Sequence, residues 1–443
     1  MPRSHLLPVL LYRGVTLELP TWYRQRRYLH FDEPMGFLKA KSLVENPDAV
    51  AKHAFWPLIA YEIETSKIKE DPATGVLIEK LKSRGISYAA HSDSHILSYY
   101  CGQIAKAYEN VISQRGLGDS VLAFRSLGKN NIDFAKQAFD EIRRQGDCTA
   151  IAFDISKFFD TLDHKLLKEA WKRLLDVDDL PPDHFSVFKN LTKFSIVNRD
   201  KLLSALDIST HNPRGGGRRR LCEPKDFRLQ VRDGGLIEKN VAKKGIPQGT
   251  SISALLSNVY MLEFDVAAQK MVAEAGGTYL RYCDDMLFIV PTMHQEHVRK
   301  FAEESIKNIL LEVNPDKTDV CSFSKVIGST HLSASKPLQY LGFLFDGQRI
   351  LIRSAAFAKY SNRMRRGISL AKQTMRSRNQ NRVKNGLEER ELFLKKIYSR
   401  YSHLGQRNFL RYGYKAAKIM GSIAIRRQLR PLWSRLQIVL AKE

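Results

Sequence analysis

The sequence predicts an α+β body followed by an all-helical C-terminal module. Through residue 352, short apolar segments of strand length are interposed with longer segments of helical period. After Arg353 the pattern stays helical, with interruptions expected at Gly367, Gly386, Gly405 and Pro431. Charge separates the same two parts. Residues 353–443 hold 23 Lys or Arg against 4 Asp or Glu, a net of +19, while residues 1–352 carry only +5 of the chain's +24.

The elements follow in order. Residues 1–50 mix aromatics, prolines and charges without a clear period and read as an N-terminal extension. Residues 76–145 read as mostly helical, with apolar residues at helical spacing in 100–112 and 132–144 and a strand-and-turn segment, VLAFRSLGKN, at 121–130. CTAIAFDI (148–155) reads as a buried strand and HKLLKEAWKRLL (164–175) as an amphipathic helix. Residues 196–240 are polar, and PRGGGRRR (213–220) reads as a basic loop or hairpin tip. A long apolar helix spans 251–272. TYLRYCDDMLFIV (278–290) reads as two strands joined at the acidic pair. Residues 297–313 form a further helix and PLQYLGFLF (337–345) a strand.

Composition narrows the function. At 43% hydrophobic residues the 443-residue chain has material for a large core, which excludes wholesale disorder. No apolar run approaches the roughly 18–20 residues that span a bilayer, so no membrane partner is expected. LLPVLLY (6–12) is short and lacks a small-residue cleavage site, which argues against secretion. The cysteines at 101, 148, 222, 283 and 321 form no CxxC pair. That argues against a zinc ribbon or disulfide framework and fits a reducing cytoplasm. A basic module this dense expects a polyanion, nucleic acid before an anionic membrane.

Three segments carry acids and glycines that structure alone does not demand. They are AFDISKFFDTLDH (152–164), KKGIPQGTSISALLSN (243–258) and YCDD (282–285). Asp154 closes an apolar strand, and Asp284 and Asp285 sit inside an apolar hairpin, where they repel each other. Alone, Asp154 also fits a helix N-cap, and the DD pair also fits a solvated β-turn. Together they suit a divalent cation such as magnesium, which takes a few carboxylates plus phosphate oxygens and water. Two such ions about 3.5–4 Å apart form the clamp for in-line displacement at phosphorus.

These segments resemble the palm motifs of reverse transcriptases, of the group II intron and retron type. NPDKT (314–318) and YLGF (340–343) resemble the two segments that follow in that family, and FRSLGKN (124–130) its fingers segment. The resemblance spans roughly 85–350 and implies a right-hand polymerase fold. Its parts are fingers at 51–147, a ferredoxin-like palm at 148–350 with an insertion at about 191–242, and a helical basic thumb at 351–443. It implies an RNA-directed DNA polymerase using two magnesium ions, with manganese as a substitute. Asp154 and Asp284 hold the ions, Asp285 assists, and the Ile155 carbonyl is a further ligand. Arg125, Lys129, Gln248 and Gly249 serve the deoxynucleoside triphosphate. Phe159 excludes a 2′-hydroxyl, although one of Phe158 and Phe159 belongs to the core. Lys317 protonates the leaving pyrophosphate, or is a solvated lysine.

Tyr340, Leu341 and Gly342 grip the primer, and Arg400, Arg407 and Arg411 turn toward the duplex while the tail's aromatics are chiefly core. Arg214 and Arg218 to Arg220 touch template or structured RNA, or belong to an extended surface loop. Residues 87–112 and 401–417 look most like the defence-associated reverse transcriptases of bacteria, the type 2 class among them. That implies antiphage activity, a structured noncoding RNA template and a DNA product. His91, Asp93 and His95 read as structural or RNA-facing rather than as a metal site. A group II intron-type maturase, an RNA-binding protein with a dead palm and a template-independent polymerase are the alternatives. All three aspartates are present, which disfavours the dead palm.

Overall fold

The structure is a computed structural model that describes residues 9–12, 15–70, 77–329 and 331–442. Of the LLPVLLY run, residues 6–8 lie outside the described residues. The chain has the expected α+β architecture. Its centre is a five-stranded antiparallel sheet in the order Leu332–Ala334, Asp319–Lys325, Cys148–Asp154, Asp285–Val290, Thr278–Tyr282.

The central strand is apolar along nearly its whole length because both faces are covered. Side chains alternate across the sheet with period two. Ile151, Phe153, Phe288 and Tyr279 enter one core together with the long helix Ser253–Glu274 and the helix Gln295–Asn308. Cys148, Ala150, Leu287 and Ile289 enter a second core with the helix Asn131–Gln145 and the C-terminal helices. The first half of the helix Ser253–Glu274, through Leu262, is buried on nearly all sides and shows no amphipathic stripe, while Glu263, Ala267 and Lys270 are exposed further on.

Several elements differ from expectation. Residues 77–88 are a strand, not a helix, paired with Leu58–Glu70 from Ile59↔Tyr88 to Glu70↔Leu77. Pairing with the preceding strand overrides local propensity there. The same sheet continues through Ser195–Asn198, parallel to Leu58–Glu70, and Ile237–Lys239. The polar 196–240 region is thus partly ordered into a strand and the helix Arg199–Ala205. Residues 337–345 form a hairpin rather than one strand. Leu341 and Gly342 both take left-handed φ (45° and 93°), which is the geometry of a two-residue hairpin turn.

The C-terminal module is helical as expected, with Ser354–Lys384, Leu394–Tyr401, Phe409–Ile419, Ile423–Leu429 and Pro431–Ala441. Gly386, Gly405 and Pro431 fall at breaks, but Gly367 lies inside the first helix. A Cβ at Gly367 would overlap the Tyr401 hydroxyl, so this glycine allows helix packing rather than ending a helix. Phe409 packs edge-on to Phe357, and Tyr398 lies beside Trp433, so these aromatics are core. Among the described residues no helix is long and apolar enough to cross a membrane.

Candidate active site

The acidic residues gather at one end of the central sheet. Asp154 is the last residue of its strand and pairs in register with Asp285, the first residue of the neighbouring strand. Cross-strand partners share a face. Asp154 and Asp285 therefore stand on the face that carries Ala150, Leu287 and Ile289. Cys283 and Asp284 make the hairpin turn, with Cys283 at a left-handed φ of 63°. The Ile155 N–H donates to the Asp284 carbonyl (3.3 Å), tying this turn to the end of the Asp154 strand. Asn314 N–H donates to the Asp154 carbonyl (2.7 Å), and Lys317 forms an ion pair with the Asp154 carboxylate. Asp154 is buried, while Asp284 and Asp285 are half-buried.

This arrangement leaves negative charge uncompensated. Burial pushes the Asp285 carboxyl up to about 7, helped by the neighbouring Asp284 and Asp154. Lys317 and Arg353 pull it back only in part. The donor set is all carboxylate oxygen, which suits a hard divalent cation. Among the described residues no group of three His, Cys, Asp or Glu side chains is assembled as a metal site. Lys317 instead pairs with the Asp154 carboxylate.

A second polar network lies behind the hairpin, and sequence reading misses it. Arg281 is fully buried and forms a bidentate ion pair with buried Asp265 (2.7 and 2.5 Å). Burial disfavours both charges, and the bidentate contact holds Arg281 protonated. Its remaining donors reach the Asn258 side chain (3.0 Å) and the Cys283 carbonyl (3.1 Å), so the network grips the acidic turn from beneath. Tyr279 donates to Asp265 as well (2.8 Å). The available signal was a charged residue inside each of two apolar segments, Arg281 in YLRY and Asp265 in LEFDVA.

The GIPQG loop is strapped against the segment after Asp154. Gly245 N–H donates to the Leu162 carbonyl (2.8 Å) and Ile246 N–H to the Phe159 carbonyl (2.9 Å). Gly249 takes φ 108°, and a Cβ there would overlap the Ser87 carbonyl oxygen. Ser87 N–H donates to the Gln248 carbonyl (2.8 Å). Phe159, Gln248 and Gly249 thus belong to one strapped assembly. Phe158 is buried and Phe159 half-buried, with ring centroids 5.6 Å apart.

Other expected residues are placed differently. The Arg125 guanidinium is engaged by Glu109 (2.9 and 2.7 Å) and by the Gly118 and Val121 carbonyls (2.8 and 2.6 Å). Its side chain is only 5% exposed, so in this conformation it serves the fold rather than a triphosphate. Lys129 is exposed. Tyr340 turns its ring inward and is buried, which leaves only the Leu341–Gly342 turn at the surface. That turn is fastened by Asn131, which donates to the Leu341 carbonyl (3.2 Å). Arg400, Arg407 and Arg411 are exposed, and Arg411 also donates to the Gly405 carbonyl (3.3 Å). His91, Asp93 and His95 are buried, Asp93 accepting from Trp56 N–H (2.9 Å) and His95 stacking on Tyr23.

The family described as reverse transcriptase (RNA-dependent DNA polymerase) matches residues 95–345. That span holds all three motif segments, 152–164, 243–258 and 282–285, and the Leu341–Gly342 turn, and the chain belongs to the reverse transcriptase family. No match is found among curated protein sequences. Among solved structures, the chain is similar to apo telomerase from Candida tropicalis truncated from its C-terminal domain (12% identity, TM-score 0.39). That match covers 66% of this chain and 57% of the telomerase. Telomerase from Candida albicans in complex with a TWJ fragment of telomeric RNA matches at 13% identity over 71% of this chain and 53% of that one, TM-score 0.36. The RNA-dependent RNA polymerase of a human picobirnavirus matches at 13% identity over 65% and 43%, TM-score 0.35.

Proposed function

We propose that this protein is an RNA-directed DNA polymerase that copies a structured noncoding RNA into DNA by two-metal nucleotidyl transfer. The observation that carries this reading is the register pairing of Asp154 with Asp285 beside the Asp284 turn, inside the family match. Asp154 and Asp284 would hold the ions, with Asp285 and the Ile155 carbonyl assisting. Bound magnesium or manganese would supply the charge that lowers the pKa of a primer 3′-hydroxyl and braces the triphosphate.

The rest falls to the chain's own groups. Lys317, which pairs with Asp154, would give a proton to the departing pyrophosphate. Gln248 and Gly249 present backbone to the incoming nucleotide, and Phe159 limits the space beside its sugar. We assign 51–147 as fingers, 148–350 as palm and 351–443 as thumb. The thumb's exposed Arg400, Arg407 and Arg411 position the duplex without reading its sequence. The antiphage role and cytoplasmic setting rest on the sequence resemblance and composition, and phage challenge of cells carrying the gene tests the former.

RNA-templated primer extension with deoxynucleotides and magnesium tests the enzymatic reading. Asp284→Ala with Asp285→Ala abolishes DNA product and leaves RNA binding intact. Product from that double variant would exclude this site. Product without any RNA would favour the template-independent alternative. Phe159→Ala should admit ribonucleotides in the same assay; unchanged discrimination removes the gate assignment.

A further inference from the structure

The basic loop at 213–220 is the one sequence motif that the polymerase site does not absorb. In the structure it closes a cavity of about 320 Å³. Four chain segments build that cavity: residues 27–29, the helix Arg199–Ala205, residues 212–221 and Tyr88 at the end of the strand Leu77–Tyr88. Leu221 N–H donates to the His30 carbonyl (2.8 Å), which fastens the third segment to the first.

The lining has three chemical parts. Arg27, Arg199 and Arg214 supply guanidinium groups, and among the described residues no carboxylate lines the cavity. Arg199 does pair with Asp200 (3.0 Å) just outside it, so the net charge stays positive. Tyr28 and Tyr88 form an aromatic wall, their ring centroids 4.8 Å apart. The Tyr28 ring is backed by His91 in a stack (5.1 Å) and its hydroxyl is fixed on the Ala89 carbonyl (2.7 Å). Leucines of the 199–205 helix and Leu221 make an apolar floor.

We propose that this cavity binds one nucleotide, its base against the tyrosine wall and leucine floor and its phosphate among the three arginines. Planar guanidinium groups both stack on bases and bind phosphate bidentately. An acidic peptide would satisfy the arginines but leave the aromatic and leucine surfaces uncovered. Placement adds to the argument. Tyr88 follows Ser87, whose backbone meets Gln248 and Gly249, so one strand touches both the cavity and the GIPQG loop. The proposal rests on the reading of the chain as a nucleic-acid polymerase. The nucleotide has two sources, an unpaired residue of a bound RNA or a free nucleoside triphosphate.

Photocrosslinking separates them, on the full chain carrying Asp284→Ala and Asp285→Ala so that no synthesis is needed. The probes are a 4-thiouridine-substituted single-stranded RNA of about 12 nucleotides and 4-thiouridine triphosphate. Crosslinks to Tyr28, Tyr88 or peptides within 199–221 support the cavity, and the probe that gives them names the source. Arg27→Ala with Arg214→Ala should weaken binding of the crosslinking probe about tenfold, as expected for lost charge-assisted contacts. Arg219→Ala with Arg232→Ala removes equal charge outside the cavity and should cost only about twofold. Absence of crosslinks at these positions with both probes, or equal losses in the two double variants, overturns the proposal. Failure of the wild-type chain to make DNA would sink the polymerase reading instead and leave the crosslinks standing.

Discussion

The hairpin Thr278–Val290 separates two acids with opposite fates. Behind it, Asp265 is fully buried and receives two bonds from Arg281 and one from Tyr279. In front, Asp285 is half-buried, faces Asp154 and Asp284, and is offset only in part by Lys317 and Arg353. The fold neutralises the first carboxylate and leaves the second under strain. A carboxylate that a protein keeps buried without neutralising it marks a functional site more often than a structural one. The two are mechanically joined, because Arg281 also donates to the Cys283 carbonyl of the acidic turn.

The largest expected effect falls on the neutralised side. Asp265→Ala leaves Arg281 buried and unpaired and should lose about 3–5 kcal/mol in chemical denaturation. Asp265→Leu with Arg281→Met should recover much of that stability but leave the Cys283 carbonyl unheld. Its DNA synthesis should stay about tenfold below wild type, a loss of about 1.4 kcal/mol in transition-state stabilisation. Full activity in the repacked variant would break the link between the two faces.

Next comes the loop. Gly249→Ala forces a side chain into the Ser87 carbonyl at a φ of 108° and should destabilise by about 1–3 kcal/mol. The same variant should raise KM for deoxynucleotides more than it lowers kcat.

The open side should show the reverse sign. The Asp285 carboxyl is pushed up to about 7 by burial and its acidic neighbours, from an ordinary value near 4. Its contribution to stability is fully present below about pH 4 and is lost as pH rises through about 7. Asp285→Asn should therefore stabilise the metal-free protein at pH 8 by about 1–2 kcal/mol and do little at pH 4. Thermal unfolding in a chelator checks this, and added magnesium should narrow the difference.

The smallest effects belong to cations that face water. Arg400→Ala and Arg407→Ala should each weaken nucleic-acid binding by about 0.5–1 kcal/mol and lower the salt slope by about 1. Filter binding across salt concentrations measures both.

Much of this was legible in the sequence where the signal is local. The strand Cys148–Asp154 is a short apolar run ending in an acid, and the helix His164–Leu175 is amphipathic with its N-cap Asp163 beside it. The YCDD hairpin announces itself by two apolar flanks. What depends on distant partners was not legible. Even the strand Leu77–Tyr88 is set by its pairing with the preceding strand Leu58–Glu70 and not by its own period. Arg125 looks like a free guanidinium until Glu109 is brought to it by the fold. Gly367 looks like a helix stop until Tyr401 packs against it. The Asp265–Arg281 pair is invisible for the same reason, since its members lie on different elements.

The central claim is that Asp284 and Asp285, together with Asp154 once Lys317 gives up its carboxylate, take divalent metal. Electron paramagnetic resonance of Mn²⁺ tests it, with a primer–template and a non-hydrolysable deoxynucleotide bound. Wild type should take up manganese that Asp284→Ala with Asp285→Ala does not, while the repacked Asp265→Leu, Arg281→Met variant retains at least part of it. Equal manganese uptake by wild type and the Asp284→Ala, Asp285→Ala variant would contradict the account.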